Sequence, residues 1–184
     1  WNNPRQGWIS PEVLIPIAEE HNLIVPLTRH VIAETIQQRH VFPMSSQFHI
    51  GINVAASHFR NGTLLKDLNQ YWFSQHPIQQ LVIELTERDA LLDVDYRVVR
   101  ELNRLGVKLA IDDFGTGNSS LSWLEKLRPD VLKIDKSFTS AIGTDAVNST
   151  VTDIIIALGK KLNIELVAEG VETQGQAQHL RRHG

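Results

Sequence analysis

Residues 107–117 read VKLAIDDFGTG, and this stretch decides how the rest of the sequence is interpreted. The run from Val107 to Ile111 predicts a buried strand, because it is short, mostly apolar and rich in branched side chains. Two carboxylates, Asp112 and Asp113, follow it directly, and a glycine turn comes next. Acidic residues at the end of a buried strand are typical of α/β proteins that carry their chemistry at strand ends.

Four further apolar runs predict strands of the same kind, at Phe48 to Val54, Leu81 to Leu85, Val131 to Ile134 and Ile164 to Ala168. Amphipathic helices are predicted between them. One extends from the predicted N-cap Asp93 to the predicted C-cap Gly106, with an apolar face of Val94, Val98, Leu102 and Leu105. Another precedes Ile164, with an apolar face of Val147, Val151, Ile154, Ile155, Leu158 and Leu162. This alternation predicts a parallel sheet built from βαβ units.

A polar residue ends every predicted strand: Asn53, Glu84, Asp112 with Asp113, Lys133, and Glu169. In a (β/α) barrel the strand ends meet at one rim, so these side chains would converge from distant parts of the chain. A doubly wound sheet is the alternative, and it would place a glycine-rich phosphate turn after its first strand. Gly115-Thr116-Gly117 lacks the third glycine of that pattern. The sequence therefore favours a TIM-like barrel.

Composition restricts the function classes. The 184 residues carry a formal charge of −3, so no overall field favours a nucleic-acid polymer or an anionic membrane. The chain has no cysteine, which excludes disulfides and thiolate metal sites. Any metal must therefore bind oxygen or imidazole.

The strand-end residues suit phosphodiester hydrolysis with hard divalent cations. Mg²⁺ and Mn²⁺ prefer carboxylate and amide oxygens, which Glu84, Asp112, Asp113, Glu169 and Asn53 would supply. Lys133 would add positive charge to orient a water or a phosphate.

Each of these residues also has a simpler interpretation, as a helix cap, a turn cap or a solvated side chain at a strand end. Six polar residues at matching ends of five apolar strands are poorly explained by separate capping roles.

Five short motifs occur in order: Ile52-Asn53-Val54-Ala55-Ala56, Glu84-Leu85-Thr86-Glu87, Asp112-Asp113-Phe114-Gly115-Thr116-Gly117, Leu132-Lys133-Ile134-Asp135 and Ala168-Glu169-Gly170-Val171-Glu172-Thr173. This order resembles the signature of the EAL family of cyclic-di-GMP phosphodiesterases.

The resemblance covers essentially the whole chain. It implies a TIM-like (β/α)8 barrel that is incomplete here, with residues 1–184 as the central portion of the domain, truncated at both ends. The family's eponymous glutamate would precede Trp1.

The resemblance implies hydrolysis of cyclic di-GMP to linear pGpG with Mg²⁺ or Mn²⁺, as a pair of ions, and inhibition by Ca²⁺. By this resemblance the metal ligands are Asn53, Glu84, Asp112 and Asp113, while Lys133 and Glu169 are catalytic. Glu87 would anchor the loop that begins with Phe114, Gly115, Thr116 and Gly117, and Asp135 and Glu172 would have supporting roles.

The resemblance also implies a homodimer through the loop after Asp113, and a sensor or diguanylate cyclase domain elsewhere in the parent protein. A cytoplasmic location is expected, which is compatible with an inner-membrane anchor in the parent. A rival hypothesis is an inactive domain that binds cyclic di-GMP as a receptor. A third hypothesis is that the chain is a barrel hydrolase of another family, which would not bind a cyclic dinucleotide.

Overall fold

The computed structural model describes residues 1–92, 94–117, 122–144 and 146–183. Its strands are β1 Asn2–Asn3, β2 Gly7–Trp8, β3 His49–Asn53, β4 Gln80–Thr86, β5 Lys108–Phe114, β6 Val131–Ile134 and β7 Glu165–Ala168. Its α-helices are α1 Pro11–Glu20, α2 Ile24–Gln37, α3 Ala56–Phe59, α4 Thr63–Asp67, α5 Glu87–Leu91, α6 Tyr96–Arg104, α7 Ser122–Leu127, α8 Lys136–Thr139, α9 Val147–Leu162 and α10 Gln174–His183. A π-helical turn at Leu68–Trp72 and short 3₁₀ turns at Arg39–Val41, Arg60–Gly62 and Phe73–Gln75 complete the helical segments.

Strands β3 to β7 form one parallel sheet, and their spatial order follows their order in the chain. A doubly wound sheet reverses its strand order at a switch point, whereas a barrel winds in one direction only. The sheet is therefore part of a TIM-like (β/α) barrel, as the sequence predicted, and all five predicted strands are confirmed to within a few residues at their ends.

The two faces of the sheet are covered differently. The outer face supplies large side chains such as Ile83, Leu109 and Leu132 to a core shared with the helices. On the inner face Val82, Ala110 and Val131 form a small separate cluster, consistent with their alternation along the strands. This inner layer lies below the polar residues at the strand ends and gives them an apolar floor.

Helix α6 begins later than the sequence predicted. Its N-cap is Asp95, whose side chain accepts a hydrogen bond from the Arg97 backbone N–H, and the predicted cap Asp93 lies outside the described residues. The predicted apolar residues Val94, Val98 and Leu102 are buried together with Val99, whereas Leu105 is 39% exposed.

Helix α9 packs on the sheet with only part of the face that the sequence predicted. Of the predicted stripe, Ile155 is buried and Val151 and Leu158 are partly buried against the core, whereas Val147, Ile154 and Leu162 are exposed. The buried face also includes Thr152, Ile156 and Gly159. Gly159 allows the close approach, because a Cβ atom there would collide with the Leu166 side chain of β7. The apolar pattern did not predict this face fully, because the hydroxyl residue Thr152 and the small residue Gly159 occupy part of it.

A buried polar network fastens the helices that follow β3. Asp67 accepts from Arg29 Nε at 2.9 Å and contacts His58 Nε2 at 2.9 Å. The burial of His58 lowers the pKa of its imidazole, and the bond to Asp67 opposes that shift. This network ties α2 to α3 and α4, and so holds the segment directly after Asn53.

None of the described helices is both long enough and apolar enough to cross a membrane.

Candidate metal centre

The polar residues at the strand ends lie along one edge of the sheet. Asn53 is the last residue of β3 and is paired in register with Glu84 of β4. Asp112 lies in β5 opposite Thr86, Lys133 lies in β6, and Glu169 follows the end of β7. We call Glu84, Asp112, Asp113, Lys133 and Glu169 the rim cluster.

Lys133 stands at the centre of the rim cluster. Its Nζ atom lies 3.0 Å from Glu84 Oε2, 3.0 Å from Asp112 Oδ2 and 2.8 Å from Glu169 Oε1. The Lys133 side chain is only 15% exposed, so these contacts are shielded from bulk water. Strands β4, β5, β6 and the end of β7 are therefore joined through one ammonium group.

The environment of Lys133 favours its charged form. Burial alone would lower its pKa, but hydrogen bonds to Glu169, Asp112 and Glu84 outweigh that effect and raise the pKa above its usual value. The ammonium thus stays protonated throughout the physiological range and balances part of the negative charge around it.

A β-bulge brings two adjacent carboxylates to the same site. Ile111 pairs with Leu132 and Phe114 pairs with Ile134, so Asp112 and Asp113 together face the single residue Lys133. Asp113 adopts a φ of +54°, a left-handed conformation in which aspartate is better tolerated than most residues. Its backbone N–H donates to Asp112 Oδ1 at 3.0 Å. The bulge cancels the alternation that would otherwise send the two side chains to opposite faces.

Asp113 is destabilised as an anion in this position. Desolvation is the main cause of the raised pKa of its carboxyl, followed by repulsion from Asp112, Asp135 and Glu169, and Lys133 opposes the shift. Negative charge is therefore in excess around Asp113, which a bound cation would relieve.

Three carboxylates are close enough to share a metal ion. Ligand oxygens of Asp112, Asp113 and Glu169 all lie within 4.8 Å of one another. All are hard oxygen donors, which fits a divalent cation of the Mg²⁺ or Mn²⁺ type better than a thiolate-seeking metal. The donor set thus fits the divalent metal that the sequence predicted.

Gly51 is a site residue that the sequence analysis missed. Its position on β3 lies beside the Glu84 side chain, and a Cβ atom at Gly51 would collide with the Glu84 carboxylate. A glycine inside a strand pattern often marks such a close approach, so the signal was present in the sequence.

Glu87 fastens the loop after β5 to the start of α5. Its buried carboxylate accepts from the Gly115 N–H at 2.9 Å and from the Gly117 N–H at 3.2 Å. A Cβ atom at Gly117 would meet this carboxylate, and one at Gly115 would meet Phe138 and Ile155. Both glycines are thus required for the loop to pack this closely.

The other predicted loop residues are in the same region. The Phe114 ring is buried and its centroid lies 6.2 Å from that of Trp123 in α7. The Thr116 hydroxyl donates to the Asp113 carbonyl at 2.9 Å. Residues 118–121, which complete this loop, lie outside the described residues.

The two predicted supporting residues have mainly local contacts. Asp135 is the N-cap of α8, and its Oδ1 accepts from the Ser137 N–H at 2.8 Å. The Glu172 backbone N–H donates to Gln176 Oε1 at 2.8 Å, and the side chain of Glu172 is exposed. Asp135 contributes to the field at Asp113, whereas Glu172 helps to start α10.

A cavity of about 440 Å³ lies next to the rim cluster. Its lining includes Asp113, Thr116 and Glu87, together with the cations Arg60 and Arg88. Glu19 and Asp89 also line the cavity, so its wall presents four carboxylates and two arginines beside the rim cluster.

Comparisons with known proteins agree on one family. The sequence profile of the EAL domain matches residues 1–184. The chain is 84% identical over its full length to the probable cyclic di-GMP phosphodiesterase PdeD of Escherichia coli (strain K12), of which it covers 35%. It is 40% identical, again over its full length, to the probable cyclic di-GMP phosphodiesterase PdeN of the same strain, of which it covers 36%. The chain thus spans about a third of the length of these curated relatives.

A solved structure gives the same result. The PaMucR phosphodiesterase in its c-di-GMP complex superposes with a TM-score of 0.88 at 34% identity, covering 100% of this chain and 76% of that one. With the ordered motifs, the sheet and the rim cluster, these matches show that the chain belongs to the EAL domain family.

Proposed function

We propose that the protein carrying this chain hydrolyses one phosphodiester bond of cyclic di-GMP and releases linear pGpG. The observation that carries the proposal is the rim cluster itself, in which Lys133 contacts three carboxylates from three other strand ends. The chain is 84% identical to a protein named as a probable phosphodiesterase of this substrate, and the PaMucR structure holds the same dinucleotide.

The chain's own residues would hold the cations. The proposed ligands are Asn53, Glu84, Asp112 and Asp113, with Glu169 either as a further ligand or as a general base. When bound, divalent cations of the Mg²⁺ or Mn²⁺ type neutralise charge on the phosphodiester and activate water. The pairing of Asp112 and Asp113 through the bulge gives the site enough carboxylate groups to serve two ions.

Lys133 would then act on the attacking water. Its ammonium is held at a fixed place by Asp112, Glu84 and Glu169. A fixed cation can orient the lone pairs of a water and stabilise negative charge that develops on a phosphate oxygen. Arg60 and Arg88 line the adjacent cavity and would contact the rest of the dinucleotide there.

A regulatory signal would act on the rim cluster through a change in the loop after β5. Glu87 joins this loop to α5, and the bulge joins it to Asp112 and Asp113. We propose a homodimer contact through this loop, a cytoplasmic location, and a sensor or cyclase domain in the parent protein.

The deciding experiment incubates the full-length protein with cyclic di-GMP and Mg²⁺ and follows pGpG by chromatography. Product that disappears on chelation and returns with Mn²⁺ is the expected result. Tight binding of cyclic di-GMP without product would instead place the protein among receptors, and the absence of binding would exclude the substrate.

Calcium provides a second test of the site. Ca²⁺ takes more ligands at longer, looser distances than Mg²⁺, so we expect it to occupy the rim cluster and position water poorly. Added to the Mg²⁺ enzyme, Ca²⁺ should lower the rate of pGpG formation while cyclic di-GMP binding persists. Full turnover with Ca²⁺ alone would contradict this metal assignment.

A further inference from the structure

A second group of metal-binding side chains lies on the outer helices. Ligand atoms of Asp153 on α9 and of His179 and His183 on α10 all lie within 4.8 Å of one another. We call these three residues the helix cluster. It contains two imidazoles, whereas the rim cluster contains none.

The two histidines face the same direction because they are four residues apart on one helix. Their ring centroids lie 4.2 Å apart, and the ring planes are inclined by 29°. Asp153 reaches them from the neighbouring helix, with its Oδ1 2.8 Å from His179 Nε2. The cluster therefore joins α9 to α10 across the outer surface.

One ring nitrogen of His183 has a backbone partner, as is common in metal-binding histidines. His183 Nδ1 lies 2.9 Å from the His179 carbonyl oxygen, to which it donates in the neutral tautomer. That bond leaves His183 Nε2 unprotonated and available as a ligand. A backbone carbonyl bound to the second ring nitrogen is the usual way in which a ligating imidazole is oriented.

The helices that carry the cluster are fixed independently. At the start of α10, Gln176 Oε1 accepts from the Thr173 N–H and Thr173 Oγ1 accepts from the Gln176 N–H, a reciprocal capping box. In α9, Thr152 next to Asp153 donates its hydroxyl to the Phe138 carbonyl at 3.0 Å. The ligand positions therefore do not depend on the metal for their approximate placement.

We propose that Asp153, His179 and His183 bind a first-row transition-metal ion, Zn²⁺ in particular, and that this ion clamps α10 to α9. Imidazole nitrogen with one carboxylate suits Zn²⁺, Ni²⁺ and Cu²⁺, and disfavours Mg²⁺. Three protein ligands leave a fourth position to water at this exposed site. The inference stands apart from the proposed hydrolysis, because none of the three residues belongs to the rim cluster.

The test measures Zn²⁺ bound to the full-length protein by equilibrium dialysis and elemental analysis, with excess Mg²⁺ present to occupy the rim cluster. The parent should bind about one equivalent more than either His179→Gln or His183→Gln, since each variant removes one of three ligands. His40→Gln is the matched control, because His40 is also exposed and its Nδ1 also contacts a preceding backbone carbonyl. It should bind Zn²⁺ like the parent.

Thermal unfolding gives an independent reading. Zn²⁺ at about 100 times its Kd should raise the Tm of the parent by roughly 5 °C, and this shift should vanish in both cluster variants. Circular dichroism without Zn²⁺ shows whether the variants remain folded. Equal Zn²⁺ binding by the parent and by the His179→Gln and His183→Gln variants would overturn the proposal.

Discussion

The rim cluster and the helix cluster both gather side chains from distant parts of the chain, but they are held by different parts of the fold. Glu84, Asp112 and Lys133 project from adjacent strands and are about 15–17% exposed, while Glu169 beyond the end of β7 is 37% exposed. Asp153 and His179 project from helix surfaces and are 46% and 25% exposed. Strand ends therefore shield the centre of their site around Lys133, and neighbouring helices provide a more open site.

The difference extends to chemistry. A shielded group of carboxylates around one lysine strengthens every charge interaction and suits the handling of phosphate. An exposed pair of imidazoles with one carboxylate keeps its ligands in exchange with water, which suits a stabilising ion rather than a reacting one. We expect substitutions in the rim cluster to affect turnover, and substitutions in the helix cluster to affect only Zn²⁺ binding and stability.

Asp113→Asn should reduce turnover more than any other substitution considered. This change removes a charged ligand from the bulge and keeps the side chain's shape, so the fold should be retained. We expect turnover to fall by about 10⁴-fold, equivalent to several kcal/mol of lost charge stabilisation. Chromatographic measurement of pGpG under saturating Mg²⁺ checks this, with circular dichroism to confirm folding.

Asp153→Asn is the corresponding change in the helix cluster. It should leave pGpG formation at the parent rate and weaken Zn²⁺ binding. Near-normal turnover by Asp113→Asn would refute the rim assignment, and a large loss of turnover by Asp153→Asn would show that the two clusters are not separate.

Lys133→Met should reduce turnover by about 10³-fold, since it removes the positioned cation but leaves the carboxylates in place. It should also destabilise the metal-free protein by about 2 kcal/mol, because Glu84, Asp112 and Glu169 would repel one another without the ammonium. Mg²⁺ should restore part of this stability by replacing the lost charge.

Urea unfolding of parent and variant, each with Mg²⁺ and with a chelator, measures this compensation. A stability loss that is the same with and without Mg²⁺ would show that Lys133 acts by packing alone. The Zn²⁺-dependent rise in Tm should be equal in both proteins, because the helix cluster is untouched.

The sequence predicted the barrel and the strands because buried parallel strands are continuous apolar runs, and the residue after each run is locally visible. It could not predict the bulge at Asp112 and Asp113, which exists only through the register between β5 and β6. The helix cluster was missed for a similar reason. The spacing of His179 and His183 is visible in the sequence, but Asp153 joins them only through packing of α9 beside α10.

Gly51→Ala tests how tightly the strands fix the rim, and its expected effect is the smallest. The added methyl group would push the Glu84 carboxylate away from its place beside Lys133, without changing any charge. A displacement on this scale should lower turnover by about 10- to 100-fold. Gly175→Ala on α10 is the control, because its new Cβ has no contact closer than 3.9 Å. Formation of pGpG at the parent rate by both alanine variants would show that the Glu84 carboxylate tolerates movement. The rim cluster would then depend less on strand register than we infer.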